Sequence, residues 1–196
     1  MTSHREIKKL VDASYSKNKD INDIGDLQLD RQLSTNENKV FHDSKTGKTI
    51  VANRGTQGTV KDWKNNLEYV KGNYSKTKRQ KNAVKTQKKA IEKYGRVDKN
   101  VGHSQGAKVA RVMNDKKLTG EVIQVNPATK NEKSNKKKNV HTIKSTGDVV
   151  SVLHKNNKNT TNVKTGSWNP LYNHSTSVLD YTPNKLVGSG HSFFIE

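Results

Sequence analysis

The amino-acid sequence predicts a single α/β domain with a central, mostly parallel sheet flanked by helices. Segments with helical periodicity alternate with short β-type segments, which is the order that builds parallel sheets. Apolar residues make up only 29% of the chain, but they are concentrated in runs that suit a thin core, at 40–52, 97–113, 122–125 and 149–153. A length of 196 residues is close to that of one domain.

The N-terminal part is expected to be a helical extension, over 1–38, of a core that spans 39–196. One amphipathic helix is predicted from an apolar stripe at helical spacing, formed by Ile7, Leu10, Val11 and Tyr15. We expect this stripe to pack against the core.

A β-hairpin is predicted next. Residues 39–42 and 48–52 suit two strands, and the polar segment between them ends in Gly47, as is typical of a turn. Further along, 74–94 is rich in lysine but carries an apolar stripe at helical spacing, and Gly95 follows as a C-cap. This segment predicts one long basic helix.

The segment Gly102-His103-Ser104-Gln105-Gly106 satisfies the pattern G-x-S-x-G. It follows a short β-type segment and precedes a helical stretch at 107–116, which is the order of a nucleophile elbow. To lift a serine hydroxyl above the end of a sheet, the chain turns sharply and brings the residues two before and two after the serine close together. Glycine has no side chain and therefore fits this crowding on either side of the serine. The motif thus makes Ser104 a candidate nucleophile.

Three other segments lie where such a nucleophile needs partners. The loop Arg54-Gly55-Thr56 follows a predicted strand upstream of the serine, where oxyanion donors are expected. Asp148 lies in a loop after the predicted strand at 140–144, and His191 lies in a Gly- and Ser-rich segment near the C-terminus. The chain order Ser, Asp, His is that of α/β hydrolases.

Each assignment has an alternative. Ser104 also fits an ordinary structural turn, and Asp148 also fits a turn or a helix cap, with Asp180 as the rival acid. Among the other histidines, His174 is the nearest rival of His191. His103, beside the nucleophile, is expected to pack or to form hydrogen bonds and not to act as the base.

These segments resemble those of the class 3 lipases, a family of α/β hydrolases that act on acylglycerols and phospholipids. Arg54-Gly55-Thr56 followed by Asp62-Trp63 resembles the family's R-G-[ST] loop and its D-W pair, and 102–107 resembles its G-H-S-L-G-[GA] elbow. Gly147-Asp148-Val149-Val150 resembles its G-D-x-V acid loop, and Asn126-Pro127 is similar to the proline that commonly follows the next strand.

The sequence departs from the family pattern in three places. Asn53 stands where the family usually has an aromatic residue, and Gln105 stands where it often has leucine. Nothing between 58 and 74 resembles a large apolar lid. Similar compact proteins occur in some DNA viruses, and the Lys and Asn bias of this chain suits such an origin.

The resemblance implies a division of roles. Ser104 would attack an ester carbonyl, His191 would take its proton and return it to the leaving alcohol, and Asp148 would orient the imidazole. Backbone N–H groups of Thr56 and Gln105 would bind the oxyanion, with the Thr56 hydroxyl as a further donor. This chemistry needs no metal and no organic cofactor.

Other chemistries find little support in the sequence. The chain has no cysteine, which excludes disulfides and thiolate sites, and it has neither an H-x-x-x-H pair nor a glycine-rich phosphate loop. The first 20 residues lack the apolar region of a signal peptide, and no run of 18 apolar residues occurs. These features are compatible with the cytoplasm or a virion.

The charge is strongly positive. The chain has 37 Lys and Arg against 18 Asp and Glu, a formal net charge of +19. Such a surface is expected to bind anionic membranes or nucleic acid with little specificity, and less well as salt rises. The charge also favours an alternative function, a non-enzymatic basic scaffold that binds nucleic acid or an acidic partner.

Overall fold

The fold is built around a seven-stranded sheet. The computed structural model describes residues 2–56, 77–128, 138–156, 158–181 and 186–187. Within them, the chain order is β1 (Thr2–Ser3), α1 (His4–Tyr15), β2 (Gln28–Leu29), β3 (Asn38–Asp43), β4 (Lys48–Asn53), α2 (Lys78–Tyr94), β5 (Lys99–His103), α3 (Gln105–Asp115), β6 (Glu121–Val125), β7 (Val140–Ser145), β8 (Thr160–Val163), α4 (Pro170–His174) and β9 (Leu186–Val187). Short 3-10 helices lie at Asn18–Asp20, Ser151–Leu153 and Thr176–Asp180.

The strands follow one another across the sheet in the order β2-β3-β4-β5-β6-β7-β8. The pairs β2/β3 and β3/β4 are antiparallel, whereas the pairs from β4 to β8 are all parallel. Strands β1 and β9 form a separate antiparallel pair. This mixed, mostly parallel sheet with helices confirms the α/β class.

The hairpin is confirmed as β3 and β4, and its turn explains the polar sequence between them. One Asp43 carboxylate oxygen accepts hydrogen bonds from the backbone N–H groups of Lys45 and Thr46, and Gly47 follows at φ 70°. The basic helix is also confirmed, as α2. Thr77 caps its start by accepting from the Gln80 N–H at 3.2 Å, and Gly95 ends it at φ 80°.

The sheet is covered on both faces because successive side chains of a strand point to opposite sides. On one face, the predicted apolar stripe of α1 packs against alternate residues of the strands, among them Phe41, Ile50, Ala52, Val101 and Ile123. On the other face, residues such as Val40, Val51 and Val122 meet α2 and α3. Helix α1 therefore belongs to the main hydrophobic core, although its sequence lies in the expected extension.

The apolar run at 149–153 forms no strand or long helix, and among its three valines only Val150 is buried, so the expected core element is present only in part. It folds as a loop and a single 3-10 turn, in which Val149 is 65% exposed and Val152 is 66% exposed. Only one strand follows β7 in the sheet, and the residues at Thr160–Val163 supply it.

A buried chain of side-chain amides crosses the sheet beneath α2. The Asn38 amide donates to Asn53 Oδ1 at 2.7 Å, Asn53 donates to Asn100 Oδ1 at 2.9 Å, and Asn100 donates to Gln87 Oε1 at 3.1 Å. Gln87 in turn donates to the carbonyl oxygen of Leu118 at 2.7 Å. These bonds tie β3, β4 and β5 to α2, and each of the four side-chain amides takes part in at least one of them.

We expect Asn53→Ala to lower the free energy of unfolding by about 2–4 kcal/mol, because it leaves an Asn38 donor and an Asn100 acceptor buried without their partner. Urea unfolding measures this change. The matched control is Asn82→Ala on the exposed face of α2, which we expect to change stability by no more than about 0.5 kcal/mol. Equal effects of the two substitutions would contradict the role of the amide chain.

Candidate active site

Ser104 lies at a sharp turn between β5 and α3 and has a strained backbone. Its φ is 55° and its ψ is −120°, a region that residues other than glycine rarely adopt. The turn is held by a hydrogen bond from the Ser104 N–H to the carbonyl oxygen of Val125 at 3.0 Å and by one from the Ala107 N–H to the Ser104 carbonyl oxygen at 3.1 Å. The predicted strand, turn and helix arrangement is therefore present.

The two glycines of the motif are required by backbone contacts. A Cβ atom on Gly102 would lie 2.2 Å from the carbonyl oxygen of Gly106. A Cβ atom on Gly106 would lie 2.1 Å from the carbonyl oxygen of Asn53, at the end of β4. Because both contacts are with backbone, no side-chain movement would make room for a larger residue.

The loop that follows β4 lies against the serine. A Cβ atom on Gly55 would be 2.4 Å from the Tyr15 hydroxyl oxygen and 3.0 Å from the Ser104 Cβ, so a side chain here would displace Tyr15 and press against the serine. Arg79, in the first turn of α2, donates to the carbonyl oxygens of Arg54 and Gly55 and, at 3.5 Å, to Gln105 Oε1. The guanidinium thus joins the loop to the first residue of α3.

Two hydroxyl groups at this point lack partners. Ser104 Oγ and Thr56 Oγ1 are buried and have no hydrogen-bond partner among the described residues. Buried polar atoms without partners are uncommon in folded proteins and cost free energy. Both belong to residues that the sequence assigns to the reaction, Ser104 as nucleophile and Thr56 as oxyanion donor.

Asp148 and His174 form a buried pair near the same edge of the sheet. His174 Nδ1 donates to Asp148 Oδ2 at 2.8 Å, and the Val150 N–H donates to Asp148 Oδ1 at 2.8 Å. An ionised carboxylate only accepts hydrogen bonds, so His174 Nδ1 is the donor in this pair, and a ring with its single proton on Nδ1 has a lone pair on Nε2. This is the state that a general base requires.

The loop that carries Asp148 is held by hydrogen bonds from Lys144, near the end of β7. Its buried ammonium group donates to the carbonyl oxygen of His154 at 2.6 Å and to that of Ser151 at 3.4 Å. Burial lowers the pKa of Lys144, and the nearby Asp148 carboxylate opposes this shift.

Asn126, directly after β6, holds the segment around His174. Its side-chain N–H groups donate to the carbonyl oxygens of Asn173 at 2.9 Å and Ser175 at 3.0 Å, which flank the histidine. Its Oδ1 accepts from the Ser145 N–H at 2.9 Å. One buried side chain therefore fixes the ends of β6 and β7 and the segment of His174 relative to one another.

His103 links the elbow to both the N-terminal helix and His174. Its Nε2 donates to the carbonyl oxygen of His174 at 2.7 Å, and its Nδ1 accepts from the Tyr15 hydroxyl at 2.6 Å. The Tyr15 oxygen also accepts from the Gly55 N–H at 2.9 Å. A continuous hydrogen-bond chain thus runs from the loop after β4, through Tyr15 and His103, to the backbone of His174.

The ionisation of this chain is fixed by its surroundings. Burial, together with the nearby His174, lowers the pKa of His103 to about 3, and burial raises the pKa of Tyr15 to about 12. Both groups are therefore neutral near pH 7. The ring centres of His103 and His174 are 5.2 Å apart, a short separation that accounts for the effect of His174 on the pKa of His103.

The residues assigned from the sequence divide into two groups. Ser104, Thr56 and Asp148 lie in loops or turns that follow the carboxyl ends of β5, β4 and β7, and Gln105 is the first residue of α3, directly after Ser104. Asp62, Trp63 and His191 lie outside the described residues. The rival acid Asp180 has a half-exposed side chain that lies 3.8 Å from Lys8, whereas the rival base His174 contacts Asp148.

Sequence reasoning missed three residues that organise the site. Tyr15 was expected only to pack, and its position at the end of an amphipathic helix gave no sign of its hydrogen bonds. Asn126 has a φ of 41°, which asparagine tolerates better than most residues, and its position after a predicted strand was the available signal. Asn173, beside His174, donates to the carbonyl oxygen of Gly147 at 3.3 Å and so connects the loop that carries Asp148 to the segment of His174.

Comparisons with known proteins do not extend this picture. No family model matches the chain, and no curated protein matches it as a relative. Across the described parts of the chain, no three His, Asp or Glu residues come together as a group able to hold a metal ion. The helices in those parts are too short or too polar to cross a membrane.

We expect the buried histidines to make stability depend on pH. Burial lowers the pKa of His103 to about 3 and that of His154 to about 4. In the unfolded chain, the same histidines have a pKa of about 6.5. As pH falls from 6.5 towards 4, the unfolded state takes up protons that the native state does not, so stability falls by up to about 1.4 kcal/mol per pH unit for each residue.

Urea unfolding of the wild type and of His103→Gln over this pH range tests the expectation. The substitution should make the decline less steep, whatever its effect on stability at pH 7. Parallel pH profiles for the two proteins would show that His103 does not contribute to the decline.

Proposed function

We propose that this protein is a serine carboxylic-ester hydrolase of the α/β-hydrolase type, with Ser104 as nucleophile, His174 as general base and Asp148 as the orienting carboxylate. The observation that carries the proposal is the buried Asp148–His174 hydrogen bond beside the elbow. At the elbow, Ser104 has a strained backbone and a buried hydroxyl group without a hydrogen-bond partner among the described residues. The chain order Ser, Asp, His is retained with His174 as the base.

The choice of His174 replaces His191 of the sequence-based expectation. The Nδ1–H of His174 donates to the carboxylate, and its carbonyl oxygen accepts from the residue that precedes the nucleophile. These contacts supply the orientation that the third member of a catalytic triad gives to the base. His191 remains the alternative base, and paired substitutions distinguish the two.

In the proposed reaction, Ser104 Oγ attacks the ester carbonyl carbon while its proton moves to His174 Nε2. The negative charge that develops on the carbonyl oxygen is met by the backbone N–H of Gln105, at the positive end of α3, and by the N–H or hydroxyl of Thr56. The protonated histidine then returns its proton to the leaving alcohol. Water hydrolyses the acyl-enzyme by the same steps in reverse order.

The proposed substrates are lipid esters, acylglycerols or phospholipids, as the resemblance of the motifs to class 3 lipases implies. A net charge of +19 would concentrate the enzyme on anionic membranes, at on the order of 1 kcal/mol for each Lys or Arg near the surface. Activity on anionic vesicles should therefore exceed activity on neutral vesicles at low salt and should fall as salt rises.

A non-enzymatic basic scaffold is the second candidate. It is favoured by exposed lysines along α2, at Lys78, Lys81, Lys85, Lys88, Lys89 and Lys93. A scaffold of this kind would bind nucleic acid or an acidic partner through charge, and it would leave the elbow without a covalent reaction.

Covalent labelling tests the hydrolase. We expect a fluorophosphonate probe to label the wild type and Ser104→Ala to abolish labelling. His174→Gln should lower the labelling rate by about 10³-fold or more, and Asp148→Asn should also lower it strongly, because each removes a part of the base. Failure of the wild type to label, both in buffer and with mixed micelles, would contradict the hydrolase and favour the scaffold.

The matched control for the base is His191→Gln. If His174 is the base, this variant should label at close to the wild-type rate. If the rate instead falls by about 10³-fold with His191→Gln and stays near wild type with His174→Gln, the base assignment is wrong although the hydrolase stands.

We also expect Tyr15→Phe to impair hydrolysis as a loss of positioning. The substitution removes the acceptor of the Gly55 N–H and the donor to His103, so the oxyanion loop and the elbow lose a common support. We expect kcat for a short soluble ester to fall about 10- to 100-fold with little change in KM.

Tyr94→Phe is the control for this substitution, since the Tyr94 hydroxyl donates to Asp30 at 2.8 Å, in contacts separate from those of the elbow. It should cost some stability and leave kcat unchanged. A uniform rise in KM with Tyr15→Phe, or an equal loss of kcat in both variants, would contradict a positioning role.

A further inference from the structure

The large apolar side chains that are exposed to solvent all belong, among the described residues, to the segment between Val149 and Tyr181. They are Val149 (65% exposed), Val152 (66%), Trp168 (100%), Leu171 (48%) and Tyr181 (47%). Single exposed apolar residues are normal on a protein surface, but a concentration in one region marks an interaction site. We call these five residues the apolar rim.

The loops that carry the apolar rim are held together by one buried side chain. The Asn173 amide donates to the carbonyl oxygen of Gly147 at 3.3 Å and to that of Ser167 at 2.9 Å. A Cβ atom on Gly147 would lie 2.4 Å from the Asn173 amide nitrogen, so the two loops are in close contact. Val149 and Trp168 therefore emerge from neighbouring backbone segments, although they lie far apart in sequence.

The second half of the apolar rim is also organised. The Tyr181 hydroxyl lies 2.8 Å from the Tyr172 hydroxyl, and the two rings meet edge to face at 6.2 Å. Asn169 caps α4 by accepting from the Leu171 N–H at 2.9 Å, which fixes the helix turn that presents Leu171. Hydrogen bonds thus position the Tyr181 ring and the backbone turn that carries Leu171.

The apolar rim borders the proposed catalytic pair. Val149 directly follows Asp148, and α4, which carries Leu171, ends at His174. Exposing aliphatic and aromatic groups beside the proposed base and its carboxylate has no structural benefit in water. A partner that approaches this surface would reach the loops of the site first.

The charge of the same segment indicates the kind of partner. Lys155, Lys158 and Lys164 are exposed within it, and Asp180 is the sole carboxylate between 149 and 181. Apolar and aromatic side chains next to lysines are the combination that binds the interface of a membrane with anionic lipids, where tryptophan and tyrosine rings lie at the headgroup level. A nucleic acid would use the lysines but would gain little from valine and leucine.

We propose that the apolar rim docks onto an anionic lipid bilayer and that Trp168 and the two valines enter its headgroup region. The inference rests on the proposed function for its meaning, since docking there would bring an ester-rich surface to Ser104. It differs from general electrostatic attraction because it assigns the contact to five named side chains.

Vesicle sedimentation tests the docking surface. The protein is Ser104→Ala, so that vesicles stay intact, and the vesicles contain phosphatidylcholine with about 30% phosphatidylserine. We expect Trp168→Ser to lower the partition coefficient about tenfold or more, since a large apolar side chain no longer leaves water on binding. The double substitution Val149→Ser and Val152→Ser should act in the same direction.

The charge control compares two pairs of lysines. Lys155→Gln with Lys158→Gln should weaken binding several-fold, and Lys85→Gln with Lys89→Gln on α2, which removes the same charge, should weaken it less. Circular dichroism and urea unfolding of each variant confirm that a loss of binding is not a loss of fold.

Three results would overturn the proposal. The first is binding of the Trp168 and valine variants at wild-type strength. The second is that the protein does not bind the vesicles but binds a DNA duplex, and that Trp168→Ser binds this duplex less well than the protein without that substitution. The third is a dimer in sedimentation velocity that Trp168→Ser dissociates, because a second copy would then cover the apolar rim. None of these measurements uses catalysis, so the labelling experiment decides the proposed function separately.

Discussion

Everything around Ser104 depends on backbone packed directly against backbone. Gly102 lies on Gly106, Gly106 lies on the end of β4, and Gly55 lies on the serine itself. Without side chains at these three positions, the chain can reverse at the end of β5 and start α3 at once. The loop after β4 can then approach the turn closely enough to share a site with it. The strained φ of Ser104 follows from the same crowding, since the turn has no room for a relaxed path.

The strength of local signals decided what the sequence could predict. The hairpin, α1, α2 and the elbow each depend on residues close together in the chain, such as the stripe of α1 or Gly95 at the end of α2. The choice between His174 and His191 depends on which segment reaches Asp148, and that is a property of the folded chain. Tyr15 is a similar case, because a tyrosine on an apolar stripe has the same periodicity whether or not its hydroxyl is used. The run at 149–153 is apolar in composition, which predicted a core element, but the last strand of the sheet is formed by Thr160–Val163.

Much of the candidate site is held by neutral groups although the chain is highly charged, and Arg79 and Lys144 add charged donors to backbone carbonyl oxygens of its loops. Tyr15, His103, Asn126 and Asn173 connect the loops by hydrogen bonds between uncharged partners. Ion pairs such as those of Lys45 with Asp26 and Lys8 with Asp12 lie at exposed positions. Salt screens exposed charges far more than buried hydrogen bonds, so ionic strength should change what the surface binds without changing the internal geometry.

The hydrogen bond from Gly55 to Tyr15 joins residues 40 positions apart, and the bond from His103 to His174 adds a further 71. During synthesis, the residues of the elbow would therefore be present long before the later segment that helps to position them has been made. Under the proposed function, the reactive arrangement would exist only in fully folded molecules, and partly made copies would carry a serine that is chemically ordinary.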